Sequence, residues 1–149
     1  MDYELSEDRS RIDIPRVYAW LAESYWSPNV RRDVVERAIK NSSLVIGAYL
    51  DGVQVGITRV VSDKATFAWV ADVYVEESHR GKGIARSMVR YALNHPEHQG
   101  LRRWMLGTKD AHGVYAALGF KPLDEPHRMM FLRGDPSRWS DDSHPESKK

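Results

Sequence analysis

The sequence lacks cysteine, long apolar runs and a surplus of charge of one sign. Without cysteine the chain has no thiolate nucleophile, no disulfide and no cysteine-type zinc site. No apolar run approaches the roughly 18 residues that a membrane-spanning helix needs, and the first residues do not resemble a signal peptide. Lys and Arg number 22 against 21 Asp and Glu, whereas nucleic-acid-binding proteins need a cationic surplus. We therefore expect a cytoplasmic protein that binds no metal, membrane or nucleic acid.

The length and the hydrophobic content indicate one compact domain. The chain has 149 residues, of which 42% are hydrophobic, and a chain of this size buries about two-thirds of the surface of its unfolded form. Beyond Arg133 the sequence is too polar to bury much apolar surface, in spite of Trp139. We predict a single domain over residues 1–133 and a mobile polar tail over 134–149.

The N-terminal third predicts one short strand and two helices. Tyr3–Ser6 favours a strand. Asp13 is a helix N-cap candidate with Pro15 in the first turn, and this helix should stop near residues 27–29, Ser-Pro-Asn. The apolar residues of Arg32–Lys40 recur at helical spacing, which predicts an amphipathic helix.

The middle of the chain predicts a hairpin followed by a central strand. Leu44–Leu50 and Val53–Val61 are rich in β-branched and aromatic residues, and Asp-Gly at 51–52 between them is a strong hairpin signal. Ala65–Val75 is apolar on both alternating faces, as expected for a strand covered on both sides. Its one charged residue is Asp72.

Helices and strands alternate in the rest of the chain. The predicted elements are a helix over Ile84–Asn94 stopped by Pro96, a strand over Arg103–Leu106, a helix over Ala111–Leu118 capped by Asp110 and closed by Gly119, and a last strand over Arg128–Leu132.

A glycine-rich loop joins the central strand to the helix that follows it. Arg80-Gly81-Lys82-Gly83-Ile84-Ala85 places two glycines at a helix N-terminus, where unpaired backbone N–H groups and the helix dipole favour phosphate. The loop has neither P-loop spacing nor the third glycine of a dinucleotide-binding fingerprint. By itself, the loop is equally compatible with a simple turn before a helix.

Two motifs together give the sequence a resemblance to the GNAT superfamily of acyl-CoA-dependent N-acetyltransferases. The pyrophosphate signature of that family is Gln or Arg, two residues, Gly, one residue, then Gly or Ala, and Arg80, Gly83 and Ala85 match it. A later helix in the family ends in Tyr, three residues, Gly-Phe, which corresponds here to Tyr115 and residues 119–120.

The similarity extends over about Leu44–Leu132 and includes the Val-Tyr-Val run at 73–75. Many family members carry Asn before the last helix, where this chain has Thr-Lys-Asp at 108–110, so no Asn contact is transferred.

The resemblance implies a fold and a cofactor site. The fold is α/β (α+β), with a mixed, mostly antiparallel sheet whose two parallel strands splay apart between flanking helices. Acetyl-CoA would lie where these strands part, with its diphosphate on the loop and its pantetheine along the strand edge. The cofactor-binding residues implied are Val73, Val75, Arg80, Gly81, Lys82, Gly83, Ile84 and Ala85.

The resemblance also implies catalytic residues. Tyr115 occupies the position of the general acid that protonates the leaving thiolate; the alternative is a tyrosine that packs beside Phe120. Asp72 and Glu76 are candidate bases for the attacking amine. Asp72 can equally be a structural carboxylate that accepts backbone N–H groups or pairs with Arg59.

The acceptor site and the overall activity are less constrained. Tyr25 and Trp26 can form an apolar or cation-binding wall for an amine, although adjacent aromatics also occur in cores. The leading hypothesis is an enzyme that transfers acetyl from acetyl-CoA to an amine of a small molecule, peptide or protein. A non-catalytic acyl-CoA-binding or sensing module is the alternative, and a homodimer is compatible with both.

Overall fold

In the computed structural model, which describes residues 2–141, five strands form one sheet with helices on both faces. The sheet order follows the chain: β1-β2-β3-β4-β5. The first four strands pair antiparallel, and β4 and β5 pair parallel. This confirms the predicted mixed, mostly antiparallel architecture. The strands are β1 (Glu4–Ser6), β2 (Leu44–Leu50), β3 (Val53–Ser62), β4 (Phe67–Val75) and β5 (Arg103–Met105).

Four α-helices and several short 3₁₀ turns complete the fold. The helices are α1 (Ile14–Ala22), α2 (Arg32–Asn41), α3 (Ile84–Asn94) and α4 (His112–Ala116). The Asp13 side chain accepts a hydrogen bond from the Arg16 N–H at 3.1 Å and caps α1, as predicted. No helix within residues 2–141 has the length and apolar character to cross a bilayer.

The β2–β3 hairpin forms at the predicted turn. Asp51 has φ 51° and Gly52 has φ 79°, and positive φ at both positions is typical of the type I′ turn that suits a two-residue hairpin. Alternation along β2 then divides its side chains between two cores. Ile46 packs with α3 on one face, whereas Val45 packs with α1 and α2 on the other.

A β-bulge interrupts β4 at Asp72. Ile57 pairs with Tyr74 and Arg59 with Ala71, so that two residues of β4 lie opposite Thr58. Asp72 has φ 54°, and the Thr58 hydroxyl donates to the Ala71 carbonyl at 3.0 Å. A bulge of this kind bends a strand and changes the direction of its side chains.

Strands β4 and β5 pair over three residues and then separate. Phe67, Ala68 and Trp69 are the β4 residues in register with β5. β5 ends at Met105, one residue before the predicted end of that strand. The edge of β4 from Val70 onward therefore borders a gap between the two strands.

The predicted start of α4 is wrong by one residue. Ala111 occupies the N-cap position, and no side chain caps the helix there. The Thr108 hydroxyl accepts from the Ala111 N–H at 3.0 Å instead. Asp110 lies one residue too early to cap α4, and the helix ends at Ala116.

The predicted last strand does not form. Pro126–Arg128 is a 3₁₀ turn, and residues 129–132 join no strand within the described part of the chain. The composition of Arg128–Leu132 suits a strand, but a strand also needs a partner edge, which composition does not supply.

The end of the described chain is held against the domain. The Arg31 N–H donates to the Trp139 carbonyl at 2.8 Å, and Val30 forms a β-bridge with Ser140. These contacts involve part of the predicted mobile tail over residues 134–149, whose mobility stays a prediction. Its remainder, residues 142–149, lies outside the described residues.

Candidate active site

Two clefts meet where β4 and β5 separate. The first has a volume of about 920 Å³ and extends along the end of β4 to the loop before α3. The second, of about 630 Å³, lies beside the bulge of β4 and the chain that leaves β5. Both clefts are lined by Tyr25, Trp26, Val73, Asp110, Ala111 and Tyr115. These shared residues form the junction through which one bound molecule can reach another.

The loop before α3 borders the first cleft with backbone rather than with side chains. Gly81 and Gly83 have φ 78° and 81°, values that favour glycine, and no atom beyond the adjacent residues lies within 4 Å of a Cβ added at either position. Gly83 is the N-cap of α3, whose first N–H groups have no acceptor within the helix. Ile84 and Ala85 line the cleft beside them. The room and the donors fit a diphosphate.

Arg80 connects this loop to the end of β4. Its Nε donates to the Val75 carbonyl at 2.7 Å, and its guanidinium carbon lies 5.2 Å from the centre of the Tyr74 ring. Arg80 thus helps to fix the loop while its side chain also lines the first cleft. Lys82 is exposed and does not line either cleft.

The edge of β4 provides backbone groups along the first cleft. Val73 and Val75 both line it, and β5 pairs with β4 only as far as Trp69. An extended ligand can therefore hydrogen-bond to this edge as an added strand does.

Tyr115 lies at the junction of the two clefts. Its side chain packs with Val70 and Val89, and its ring centre is 6.1 Å from that of Phe120 in an edge-to-face arrangement. The residue is 8% exposed. Burial raises the pKa of its phenol to about 12, so the group carries a proton throughout the neutral range and can donate it.

The Asp72 carboxylate lies in the second cleft and accepts two hydrogen bonds from charged and aromatic side chains. Arg59 Nε donates to Oδ2 at 2.7 Å, and Trp26 Nε1 donates to Oδ1 at 2.8 Å. Asp72 therefore forms the ion pair with Arg59 that the sequence analysis gave as the alternative to a role as catalytic base. A role as base remains a prediction.

Glu76 is also ion-paired. Arg16 Nη2 lies 3.0 and 2.9 Å from its two carboxylate oxygens, and both side chains are about one-third exposed. Glu77, the next residue, lines the first cleft, whereas Glu76 does not. The predicted role of Glu76 as a base also remains a prediction.

Tyr25 and Trp26 lie on the wall of both clefts and not in the core. They are 51% and 40% exposed, with ring centres 5.0 Å apart, edge to face. The Lys109 N–H donates to the Tyr25 hydroxyl at 2.9 Å. This bond joins the α1–α2 connection to the chain after β5, and both residues line the second cleft.

Sequence reasoning missed several residues that line the clefts. Trp69 is 39% exposed and borders the second cleft together with residues 106–109. The apolar pattern of β4 predicted a strand covered on both faces, but the side chain of Trp69 is exposed although its backbone pairs with Met105 of β5. Within residues 2–141 no group of three or more His, Cys, Asp and Glu is arranged to hold a metal ion.

The phenol of Tyr115 should titrate far above the ordinary range. In an ultraviolet titration, the difference between wild type and Tyr115→Phe should show a midpoint of about 12 rather than the ordinary 10.0. Because the folded-state pKa is raised, the stabilisation from the neutral phenol is complete below pH 10 and is lost as the pH rises through about 12. A midpoint near the ordinary value would contradict burial of this group.

Comparison with known proteins agrees with this geometry. The profile of the Acetyltransferase (GNAT) family matches residues 8–120. A Gibberella zeae protein, provisionally named an acetyltransferase, is 29% identical over 148 aligned positions, which cover 83% of this chain and 82% of that protein. Human N-acetyltransferase 8B is 35% identical over 63 positions, covering 40% of this chain and 28% of that protein.

A solved structure is similar over nearly the whole fold. The crystal structure of a GNAT-family protein from Xanthomonas campestris pv. campestris, also provisionally named an acetyltransferase, has 40% sequence identity and a TM-score of 0.85. The comparison covers 91% of this chain and 95% of that one. Fold, motifs and family profile agree, and the chain belongs to the GNAT family of acetyltransferases.

Proposed function

We propose that the protein transfers an acetyl group from acetyl-CoA to an amine by direct attack. The observation that carries the proposal is the junction of two clefts at a buried, protonated phenol. One cleft offers backbone donors for a diphosphate, and the other offers aromatic and charged side chains. The cytoplasmic location expected from the sequence is part of the same proposal.

The first cleft fits the donor. The loop at residues 80–85 would hold the diphosphate through backbone N–H groups, because Gly81 and Gly83 leave the approach open. The edge at Val73 and Val75 would bind the pantetheine as an added strand. Acetyl-CoA supplies the thioester, and the thioester carbonyl would then lie towards Tyr115.

The second cleft fits an acceptor with an amine. Tyr25, Trp26 and Trp69 present aromatic surface, which attracts alkyl ammonium groups. Asp72 adds a carboxylate on the same side. The name of the human relative, an N-acetyltransferase, is consistent with nitrogen as the acceptor atom.

The transfer needs one proton acceptor and one proton donor. The neutral amine nitrogen forms a C–N bond with the carbonyl carbon, and the C–S bond breaks with its electron pair on sulfur. Tyr115 gives its proton to that sulfur and regains one from solvent. Asp72, Glu76 or a water molecule takes the surplus proton of the amine.

A non-catalytic acyl-CoA-binding module is the second candidate. One observation favours it: Asp72 and Glu76 are both engaged in ion pairs, with Arg59 and Arg16 respectively. Such a module would bind acetyl-CoA as the enzyme does but would release no CoA in the presence of any amine. Turnover therefore distinguishes the two.

Gly83→Val should weaken CoA binding at least about tenfold, because several charge-assisted hydrogen bonds to the diphosphate depend on close approach of the loop. Isothermal titration calorimetry with CoA measures the effect. Gly100→Val is the matched control, since Gly100 also has positive φ, at 75°, and open space around it, but lines neither cleft. Both variants place a β-branched side chain at a positive φ, 81° at Gly83 and 75° at Gly100. Equal CoA affinity in the two variants would exclude the loop as the diphosphate site.

Tyr115→Phe should lower turnover about a hundredfold while acetyl-CoA affinity changes little, because the ring remains and the proton donor is lost. Release of free CoA thiol in the presence of amines, amino acids, aminoglycosides, polyamines and peptides measures turnover. The protein contributes no background because it has no cysteine. Unchanged turnover would restrict Tyr115 to packing, and no turnover with any acceptor would favour the binding module.

Asp72→Asn and Glu76→Gln should separate the two candidate bases. The variant that removes the base should lower the rate about tenfold or more at the lower end of the pH profile, since the amine proton then has a poorer acceptor. The same amine is used for both variants, so the titration of the amine affects both pH profiles equally and cancels when they are compared. If Asp72 is only structural, Asp72→Asn should lose thermal stability while the folded fraction keeps the wild-type pH profile.

A further inference from the structure

A third cavity lies between the sheet and helices α1 and α2. Its volume is about 220 Å³. Most of its lining side chains are apolar and come from α1, α2, the chain between them and β3; they include Leu21, Val30, Val35, Ala38, Ile39 and Ile57. All of these except Ala38 are buried. The cavity therefore reaches into the apolar core on this face of the sheet.

The third cavity adjoins the second cleft. Trp26, Ser27, Arg59 and Asp72 line both of these spaces. The two spaces therefore meet at the bulge of β4, beside the α1–α2 connection. A molecule that lies in the second cleft can extend one of its ends into the third cavity at this point.

The polar side chains where the two spaces meet already have hydrogen-bond partners. Arg59 and Trp26 both donate to the Asp72 carboxylate, and the Ser27 hydroxyl donates to the Leu21 carbonyl at 3.1 Å. A polar group that entered the cavity would lose its hydration and would have to compete for atoms that are already bonded. An apolar group would instead gain free energy by leaving water. The chemistry of the cavity thus favours an apolar group.

The volume of the cavity limits the size of that group. In another protein, an empty apolar cavity of about 150 Å³ is large enough to bind benzene. The third cavity, at about 220 Å³, is somewhat larger. It can therefore hold one phenyl ring or a branched alkyl group of similar size.

Trp139 supplies one wall of the cavity from the C-terminal part of the described chain. Its side chain packs against the core cluster that contains Val30 and Val35. Backbone hydrogen bonds hold the segment on both sides of the indole: the Arg31 N–H donates to the Trp139 carbonyl, and the Asp141 N–H to the Asn29 carbonyl, each at 2.8 Å. The family profile matches only residues 8–120, so this wall lies outside the part of the chain that the profile describes.

We propose that the third cavity is a specificity site for the acceptor, and that the acceptor is an amine that carries a phenyl ring or a branched alkyl group. The inference rests on the proposed acetyl transfer and specifies its substrate class. The amine nitrogen would lie in the second cleft, which Asp72 and Tyr115 both line, while the apolar group fills the cavity. Polyamines and other hydrophilic amines would leave the cavity empty and would be poorer acceptors.

Rates with two amines test the proposal. In wild type, kcat/KM for phenethylamine should exceed that for ethylamine at least about tenfold, since burial of the ring adds binding free energy. Ala38→Leu should lower this ratio about tenfold, because the larger side chain fills part of the cavity. Ala19→Leu is the matched control: Ala19 is an exposed residue of α1 that does not line the cavity, and the ratio should stay that of wild type. A ratio near one in wild type, or the same ratio in both variants, would overturn the proposal.

Trp139→Ala decides the question if Ala38→Leu does not fold, since it changes a wall of the cavity without altering α2. The ratio of kcat/KM for phenethylamine to that for ethylamine should again fall, because apolar surface that would cover the ring is lost. A folded Trp139→Ala variant with the wild-type ratio would contradict the proposal.

Equilibrium binding separates this proposal from the proposed acetyl transfer. In calorimetric titrations of phenethylamine into protein saturated with CoA, the affinity should be about tenfold weaker for Ala38→Leu than for Ala19→Leu. Turnover of phenethylamine together with equal affinities in the two variants would leave acetyl transfer intact and would overturn the cavity as its specificity site. The expected difference in affinity, with no release of CoA thiol from acetyl-CoA for any amine, would support the cavity as the amine-binding site and would exclude acetyl transfer.

Discussion

Strands β4 and β5 pair over only three residues, and the candidate site depends on that early separation. Because Arg103–Met105 is short, the edge of β4 beyond Trp69 retains unpaired backbone groups. α4 lies across the opening and brings Tyr115 to the point where the clefts meet. A longer β5 would fill the gap with a paired strand and would leave no passage between the two clefts.

The bulge at Asp72 is the second constraint. A positive φ is unfavourable for a residue with a side chain, and the surrounding contacts hold Asp72 in that conformation. Its carboxylate accepts hydrogen bonds from Arg59 on β3 and from Trp26 on the α1–α2 connection. The same bonds that stabilise the bulge thus fix one wall of the second cleft. A catalytic role for Asp72 would have to operate from within this network.

The arginine side chains around the site are paired with carboxylates or with backbone carbonyls and do not form a cationic patch. Arg16 pairs with Glu76 and Arg59 with Asp72, and the Arg80 side chain donates to the backbone of β4. In the proposed function, affinity for the diphosphate would therefore come largely from backbone donors at the start of α3. The proposed diphosphate site therefore requires no cationic surplus, which is compatible with the net charge of +1.

The sequence alone determined the features that depend on neighbouring residues. The positive φ values at residues 51–52 follow from Asp-Gly, the open approach at Gly83 follows from a missing side chain, and the spacing from Tyr115 to residues 119–120 follows from one short helix. In each case the physical cause lies within a few residues. Such features could be predicted correctly from the sequence. The mixed sheet was also predicted, because the motifs resemble those of a family with that fold.

Only the tertiary structure decided the features that depend on a distant partner. Sequence reasoning left open whether Asp72 pairs with Arg59, and the fold brings these residues together across the bulge. It predicted a strand at Arg128–Leu132, whose composition is right but which pairs with no strand of the described chain. It assigned the α4 cap to Asp110, whereas the backbone path gives the hydrogen bond to Thr108. Composition and periodicity report the preference of a segment, but the partner of a charge or a strand edge is set by how the whole chain folds.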